Sequence, residues 1–189
     1  QSSDIFVAYS PERILPGQTI KELISNSRVV GGISEICTQK ALSFYSTYVK
    51  GEILATNSAT AEMCKLAENS FRDVNLAFAN ELSMICHEAK INVNDVIKFS
   101  NYHPRVNILT PGCGVGGHCI PVDPWLLVDG FPYQTKLIEK ARIVNLSKTD
   151  WVINIIKNEI DSLSLEKPDL KVCFLGISYK ANSDDMRDS

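Results

Sequence analysis

From Ser58 to about Lys90 the chain contains neither Pro nor Gly, and Met63, Ala67, Phe71, Val74, Phe78, Leu82, Ile85 and Ala89 recur at three- or four-residue intervals. That spacing lays an apolar stripe along one face of a single long helix, with Ser58 or Thr60 placed to cap it. The middle of the chain is therefore helical, and its flanks must suit that. Residues 1–57 read as mixed α/β. Ile5–Tyr9, Arg28–Gly31 and Glu52–Thr56 have the look of short strands. Ser34–Lys50 reads as a helix capped by Ser34, with Cys37, Ala41, Phe44, Tyr45 and Tyr48 on one face. Beyond the long helix, the pattern predicts helices over Val93–Ser100, Tyr133–Ser147 and Thr149–Ser164, an ordered Pro- and Gly-rich loop over 101–124, and a strand over Lys171–Gly176.

Nineteen basic against 22 acidic residues leave a net charge of −3, so the chain lacks the basic surplus of a nucleic-acid binder. No apolar run approaches the roughly 18 residues of a membrane span, and Gln1-Ser2-Ser3-Asp4 has no signal-peptide character. A cytoplasmic protein is expected. At 189 residues the chain has room for one core or one and a half domains. A strand-like run stands at each end without neighbours to pair with, which suggests a piece of a longer protein.

Of the six cysteines, Cys37, Cys64, Cys86 and Cys173 fall singly in predicted helices or a strand and read as small buried hydrophobes. Free thiols are expected rather than disulfides. Cys113, His118 and Cys119 lack a Cys-x-x-Cys pair or a second cluster, so no metal site is expected. Cys119 differs from the other cysteines. It sits in Gly112-Cys113-Gly114-Val115-Gly116-Gly117-His118-Cys119-Ile120-Pro121-Val122-Asp123, where glycines let backbone and ligand approach closely and a neighbouring base could hold a thiolate. The local sequence fits a nucleophile and a merely packed cysteine equally well. Gly112, Gly114 and Gly117 also match G-x-G-x-x-G. That match is rejected as a dinucleotide fingerprint: Pro111 precedes it, and Pro121 and Pro124 should block the helix that the motif must open.

On the long helix, Lys65 and Asn69 lie four apart on one face, and Asn80 lies three turns further along it. A Lys and an Asn stacked in this way can offer a cation and an amide to a developing oxyanion. An ordinary solvated face is the plainer alternative, and Glu68, Arg72 and Glu81 fit it too.

Four segments, in order, then resemble one known family: Ser10-Pro11-Glu12-Arg13-Ile14-Leu15-Pro16-Gly17, the helix stretch Ala61–Asn75, the loop Gly116–Trp125, and Gly176-Ile177-Ser178-Tyr179-Lys180-Ala181-Asn182-Ser183-Asp184-Asp185-Met186-Arg187. The family is the UDP-glucose/GDP-mannose dehydrogenases. Asn101–Leu109 and the helix signature are similar to the branch that oxidises UDP-N-acetylmannosamine at C6. The fold implied is a mainly α central domain, like the helical C-terminal domain of 6-phosphogluconate dehydrogenase, flanked by partial α/β Rossmann-like pieces. Residues 1–57 would end an NAD-binding domain, 58–147 would form the central dimerisation domain with the thiol loop, and 148–189 would open a nucleotide-sugar domain.

The resemblance implies a four-electron oxidation of an alcohol to a carboxylate, with NAD as cofactor and a nucleotide sugar as substrate. Cys119 would be the nucleophile, Lys65 and Asn69 would hold the C6 oxygen, Asp123 would position water or tune the thiol, and Glu12 would be the base for thioester hydrolysis. Arg105, Gly116 and Lys180 would meet the substrate and Arg187 the NAD. A homodimer through the long helix is expected, and the chain alone is expected to be inactive. Three positions depart from the family pattern. Val122 stands where some relatives carry Lys, Pro16 where a second glutamate is common, and Cys113 where proline is usual. Two other readings compete: a two-electron β-hydroxyacid dehydrogenase, which has no use for a loop cysteine, and a non-catalytic dimerisation module.

Overall fold

The computed structural model describes residues 5–14, 17–163, 171–176, 178 and 186. It divides into two compact units, residues 1–68 and 69–189, with the boundary inside the long helix.

In the first unit, β1 (Ala8–Tyr9), β2 (Arg28–Gly32) and β3 (Ile53–Asn57) form a sheet in that order. β1 runs antiparallel to β2, and β2 pairs in parallel with β3 from Arg28↔Ile53 to Gly32↔Asn57. The crossover between the parallel strands is the helix α2 (Glu35–Tyr45), which gives a βαβ unit. All five residues of β2 are buried, as a central strand covered on both sides requires. Ser34 caps α2 as the sequence predicts, its side chain accepting from the Cys37 N–H. The apolar face of α2 is only partly realised, since Phe44 is exposed and instead stacks edge-on with Tyr45 and Tyr48. A short helix, α1 (Thr19–Ser25), had no counterpart in the sequence reading.

β3 passes without a loop into α3 (Ser58–Glu88). The cap is neither Ser58 nor Thr60. It is Asn57, the last residue of β3, whose Oδ1 accepts from the Thr60 N–H at 2.8 Å. α3 ends in a Schellman turn: Lys90 adopts φ +57°, the Ile91 N–H reaches the Cys86 carbonyl and the Lys90 N–H reaches that of His87.

In the second unit, α4 (Val93–Ser100), α5 (Asp123–Gly130) and α6 (Lys136–Ser162) join the later turns of α3. The predicted break between Ser147 and Thr149 is absent, and α6 is one continuous helix. Ser147 returns its hydroxyl to the Val144 carbonyl, so it does not start a new helix. α5 departs from the expectation that Pro124 blocks a helix there. Pro in the first helical turn lacks only an N–H that has no partner there, so it opens the helix rather than barring it. The glycine motif still fails as a dinucleotide fingerprint, because residues 106–111 form no strand. Residues 171–176 likewise form no strand, and Cys173 is exposed rather than buried. Among the described residues no helix is long and apolar enough to cross a membrane.

α3 carries its two faces the opposite way round from a simple surface helix. Phe71, Phe78 and Ile85, at 70%, 54% and 59% exposure, lie outside, whereas Asn69, Asp73 and Asn80 are buried. Among the described residues, five pairs join α3 to α6. Arg142 Nη1 donates to Asp73 Oδ1 at 2.6 Å, and Asn145 donates to Asp73 Oδ1 and accepts from Asn80. Lys148 Nζ donates to Ser83 Oγ at 2.7 Å, and Trp151 packs edge-on against His87. The partners advance along both helices in the same direction. Lys148 also sits over the Trp151 ring, and burial pushes its ammonium below the ordinary lysine value, with Cys113 opposing.

Candidate active site

In the first unit, Glu12 and Lys65 come together. Glu12 Oε1 accepts from the Arg13 and Ile14 N–H groups at 2.6 and 2.7 Å, closing a turn. Its Oε2 lies 3.7 Å from Arg28, a buried guanidinium that also lies over the Tyr45 ring. Lys65 Nζ donates to the Glu12 carbonyl at 2.8 Å, using one of its three N–H groups. Next to this residue pair, Arg13 holds Glu68 through two contacts, one of them Nε to Oε2 at 3.1 Å.

The same unit has a cleft of about 250 Å³ at the carboxyl ends of β2 and β3, lined by Gly32, Ser34, Thr38, Thr56 and Asn57 among others. The carboxyl ends of parallel strands facing a helix amino terminus are where α/β sheets take ligands. A Cβ on Gly32 would stand 2.4 Å from the Thr38 N, so no larger residue fits beneath the opening of α2. Within the cleft's wall, the Ser34 hydroxyl donates to Cys37 Sγ and holds that thiol below its ordinary value, helped by the Val7 backbone.

In the second unit, Asn69 and Asp123 come together, the Asn69 Nδ2 donating to Asp123 Oδ2 at 2.5 Å. Asn69 is buried, so the solvated-face alternative fails for it. Asp123 is the first residue of α5, and its N–H and that of Val122 both reach the Cys119 carbonyl, at 2.8 and 3.1 Å. Cys119 is thus tied by a tight turn to the residue that binds Asn69, with its side chain exposed. Gly117, at φ +95°, turns the chain just before it in a conformation that disfavours a side chain. Gly116 is half-buried beside it, and Arg105 stands exposed on the segment after α4. Lys180 and Arg187 lie outside the described residues. All six cysteines are free.

Lys65 and Asn69, the last and first candidates of their respective units, occupy successive turns of one unbroken helix. Residues 59–147 match the UDP-glucose/GDP-mannose dehydrogenase family, central domain. The chain belongs to that family. It is 51% identical to the UDP-N-acetyl-D-mannosamine dehydrogenase of Salmonella typhi, over 100% of the chain and 46% of the relative. It is also 51% identical to the NDP-N-acetyl-D-galactosaminuronic acid dehydrogenase of Ralstonia solanacearum, covering 44% of that protein. Among solved structures, a UDP-D-ManNAc dehydrogenase from Pyrococcus horikoshii superposes with a TM-score of 0.93 at 42% identity, over all of this chain and 45% of that one. The chain therefore spans about half the length of the curated relatives it matches. Its helical centre and small α/β sheet are those of UDP-sugar dehydrogenases, as the resemblance implied.

Sequence reasoning missed Asp73, Arg142, Asn145 and Thr149. The signal is the run of polar or small residues at Asn69, Asp73, Ala77 and Asn80, one per turn, a pattern that an ordinary solvated face produces as well.

Proposed function

We propose that the full-length protein carrying this chain is an NAD-dependent nucleotide-sugar 6-dehydrogenase that oxidises UDP-N-acetylmannosamine, or a similar UDP-sugar, to the uronic acid in two oxidation steps. The observation that supports it best is the grouping in the second unit: an exposed thiol, a carboxylate at a helix amino end and a buried amide, joined by short hydrogen bonds.

Each candidate has spare capacity for a role. Lys65 keeps two N–H donors and Asn69 keeps one, enough to bind the C6 oxygen while its charge develops. Once C6 has become an aldehyde, the Cys119 sulfur adds to its carbon and a proton passes to the oxygen, forming a thiohemiacetal. Loss of a hydride from C6 and of the hydroxyl proton then leaves a thioester. Water attacks the thioester carbon, the C–S bond breaks, and carboxylate and thiol are released. The covalent bond keeps the aldehyde from escaping between the two oxidations. Asp123 orients the loop and the water. Glu12 can accept the water proton only on Oε2, because Oε1 is held by two backbone N–H groups.

NAD, when bound, accepts the two hydrides. The cleft beside Ser34, Thr38, Thr56 and Asn57 has room for a ring-sized part of a dinucleotide. Arg105 and Gly116 are assigned to the substrate, as are Lys180 to the nucleotide sugar and Arg187 to the cofactor. The exposed Phe71, Phe78 and Ile85 stripe supports a homodimer through α3.

The decisive experiment gives the full-length protein a panel of nucleotide sugars and counts NADH per sugar consumed. Two per sugar is expected; one would point to the two-electron hydroxyacid class. Cys119→Ser is expected to stop acid formation, and unchanged acid yield would remove Cys119 from the mechanism. The 189-residue chain alone is expected to yield no NADH.

A further inference from the structure

Six residues before Cys119, the stem of its loop is pinned by groups that the mechanism above does not use. The Gly112 N–H donates to Asn80 Oδ1 at 2.9 Å. Thr149 Oγ1 donates to the Cys113 carbonyl at 2.9 Å. Gly114 lies flat on the same threonine: a Cβ added there would stand 2.5 Å from Thr149 Oγ1. The far end of the loop is held separately, by Asp123 and Val122 on the Cys119 carbonyl. The loop therefore has a fixed point at each end.

The stem contact has a direction imposed from deep in the unit. Ionised Asp73 can only accept. It draws the Nδ2 of Asn145 towards it, at 2.8 Å to Oδ1 and 3.1 Å to the Asp73 carbonyl. That orientation leaves Asn145 Oδ1 to accept from Asn80 Nδ2 at 2.9 Å. Asn80 must then present its oxygen, not its NH₂, to the loop, where an N–H is waiting. Asn80, Asn145 and Asp73 are all at most 1% exposed, so water cannot substitute for any member of the chain.

We infer that Asn80 and Thr149 are positioning residues for the thiol loop: they fix the Gly112–Gly114 stem and thereby set where Cys119 can stand. The anchoring follows from the geometry alone; its catalytic consequence rests on the reading of Cys119 as the nucleophile. Neither residue is assigned contact with substrate. Their effect is on the turnover step, because a thiol misplaced by a fraction of an ångström attacks poorly while the sugar still binds.

Thr149 is exposed, so its near-isosteric replacement by Val removes the hydroxyl with little risk to folding. In full-length protein, Thr149→Val is expected to speed amide hydrogen exchange across residues 112–119 by about tenfold, the worth of one hydrogen bond. Exchange in α3 and α6 should stay unchanged. With nucleotide sugar, kcat should fall by about tenfold with KM within about twofold. Thr149→Ser, which keeps the hydroxyl, should restore both. Wild-type loop exchange in Thr149→Val would overturn the anchoring. Faster exchange with unaltered kcat would overturn the positioning role. Should the wild-type protein oxidise no nucleotide sugar, the functional proposal fails, and the positioning role fails with it. The exchange comparison still decides the anchoring.

Discussion

Replacing Arg142 by Met tests how the second unit is held together. Arg142 is 2% exposed and Asp73 not exposed at all, with 2.6 Å between Nη1 and Oδ1. Two opposite charges about 4 Å apart attract by about 4 kcal/mol at an effective dielectric of roughly 20. Stranding one partner of such a pair costs about 3–5 kcal/mol, a large part of the roughly 5–15 kcal/mol that holds a domain folded. The pH dependence has a definite sign. Burial already holds the Asp73 carboxyl above its ordinary value, against the pull of Arg142 and Asn145. Between the unfolded value, about 3.9, and the raised native one, the native state binds more protons than the unfolded state. Stability contributed by this group therefore falls as pH rises through that window. Without Arg142 the native value climbs further and the window widens. Urea unfolding followed by circular dichroism should show the full loss at pH 7 and a smaller one at pH 5. An Asp73→Leu/Arg142→Met double variant should recover much of the loss, though not all, because Asn145 keeps only the Asp73 carbonyl as acceptor. A single-variant loss below about 1 kcal/mol at pH 7 would match the range of surface pairs and refute the buried-pair reasoning, as would a loss that grows on acidification.

Asn69→Leu frees Asp123 and, on the proposed mechanism, removes an oxyanion donor; kcat for nucleotide-sugar oxidation in the full-length protein should then drop by about 10²–10³, and steady-state NADH kinetics check it. Lys90→Gly relieves a non-glycine residue in the left-handed region at the end of α3 and should raise stability by about 0.5–1 kcal/mol in a thermal melt. Phe71→Glu with Phe78→Glu places charge on the exposed stripe of α3 and should shift the full-length protein towards monomer by light scattering, with an unchanged mass counting against the stripe as interface.

The elements easiest to read in the sequence were those whose local chemistry agrees with their surroundings. The Ser34 cap, the two parallel strands and the reach of α3 all follow from short-range rules. The pairing of Asn69 with Asp123 could not be seen that way, since the two are brought together by tertiary packing alone. Helical spacing brings out Lys65 and Asn69 but leaves a solvated face as the plainer judgement, because Asn and Asp are usually outside. The judgement inverts once Arg142 and Asn145, some seventy residues away, supply the missing partners. Pro124 misled for a different reason: a proline forbids the interior of a helix but suits its first turn.

The polar seam between α3 and α6 also acts like a lock with a single notch. Two long helices joined only by interchangeable aliphatic side chains can slide by a turn, about 5.4 Å, and repack at modest cost. Here such a slide would part Arg142 from Asp73, Asn145 from Asn80 and Lys148 from Ser83 at once, and each separation would leave a buried polar group without its partner. α6 therefore has one permitted position against α3, and the stem of the Cys119 loop, fastened to one residue from each helix, inherits that position.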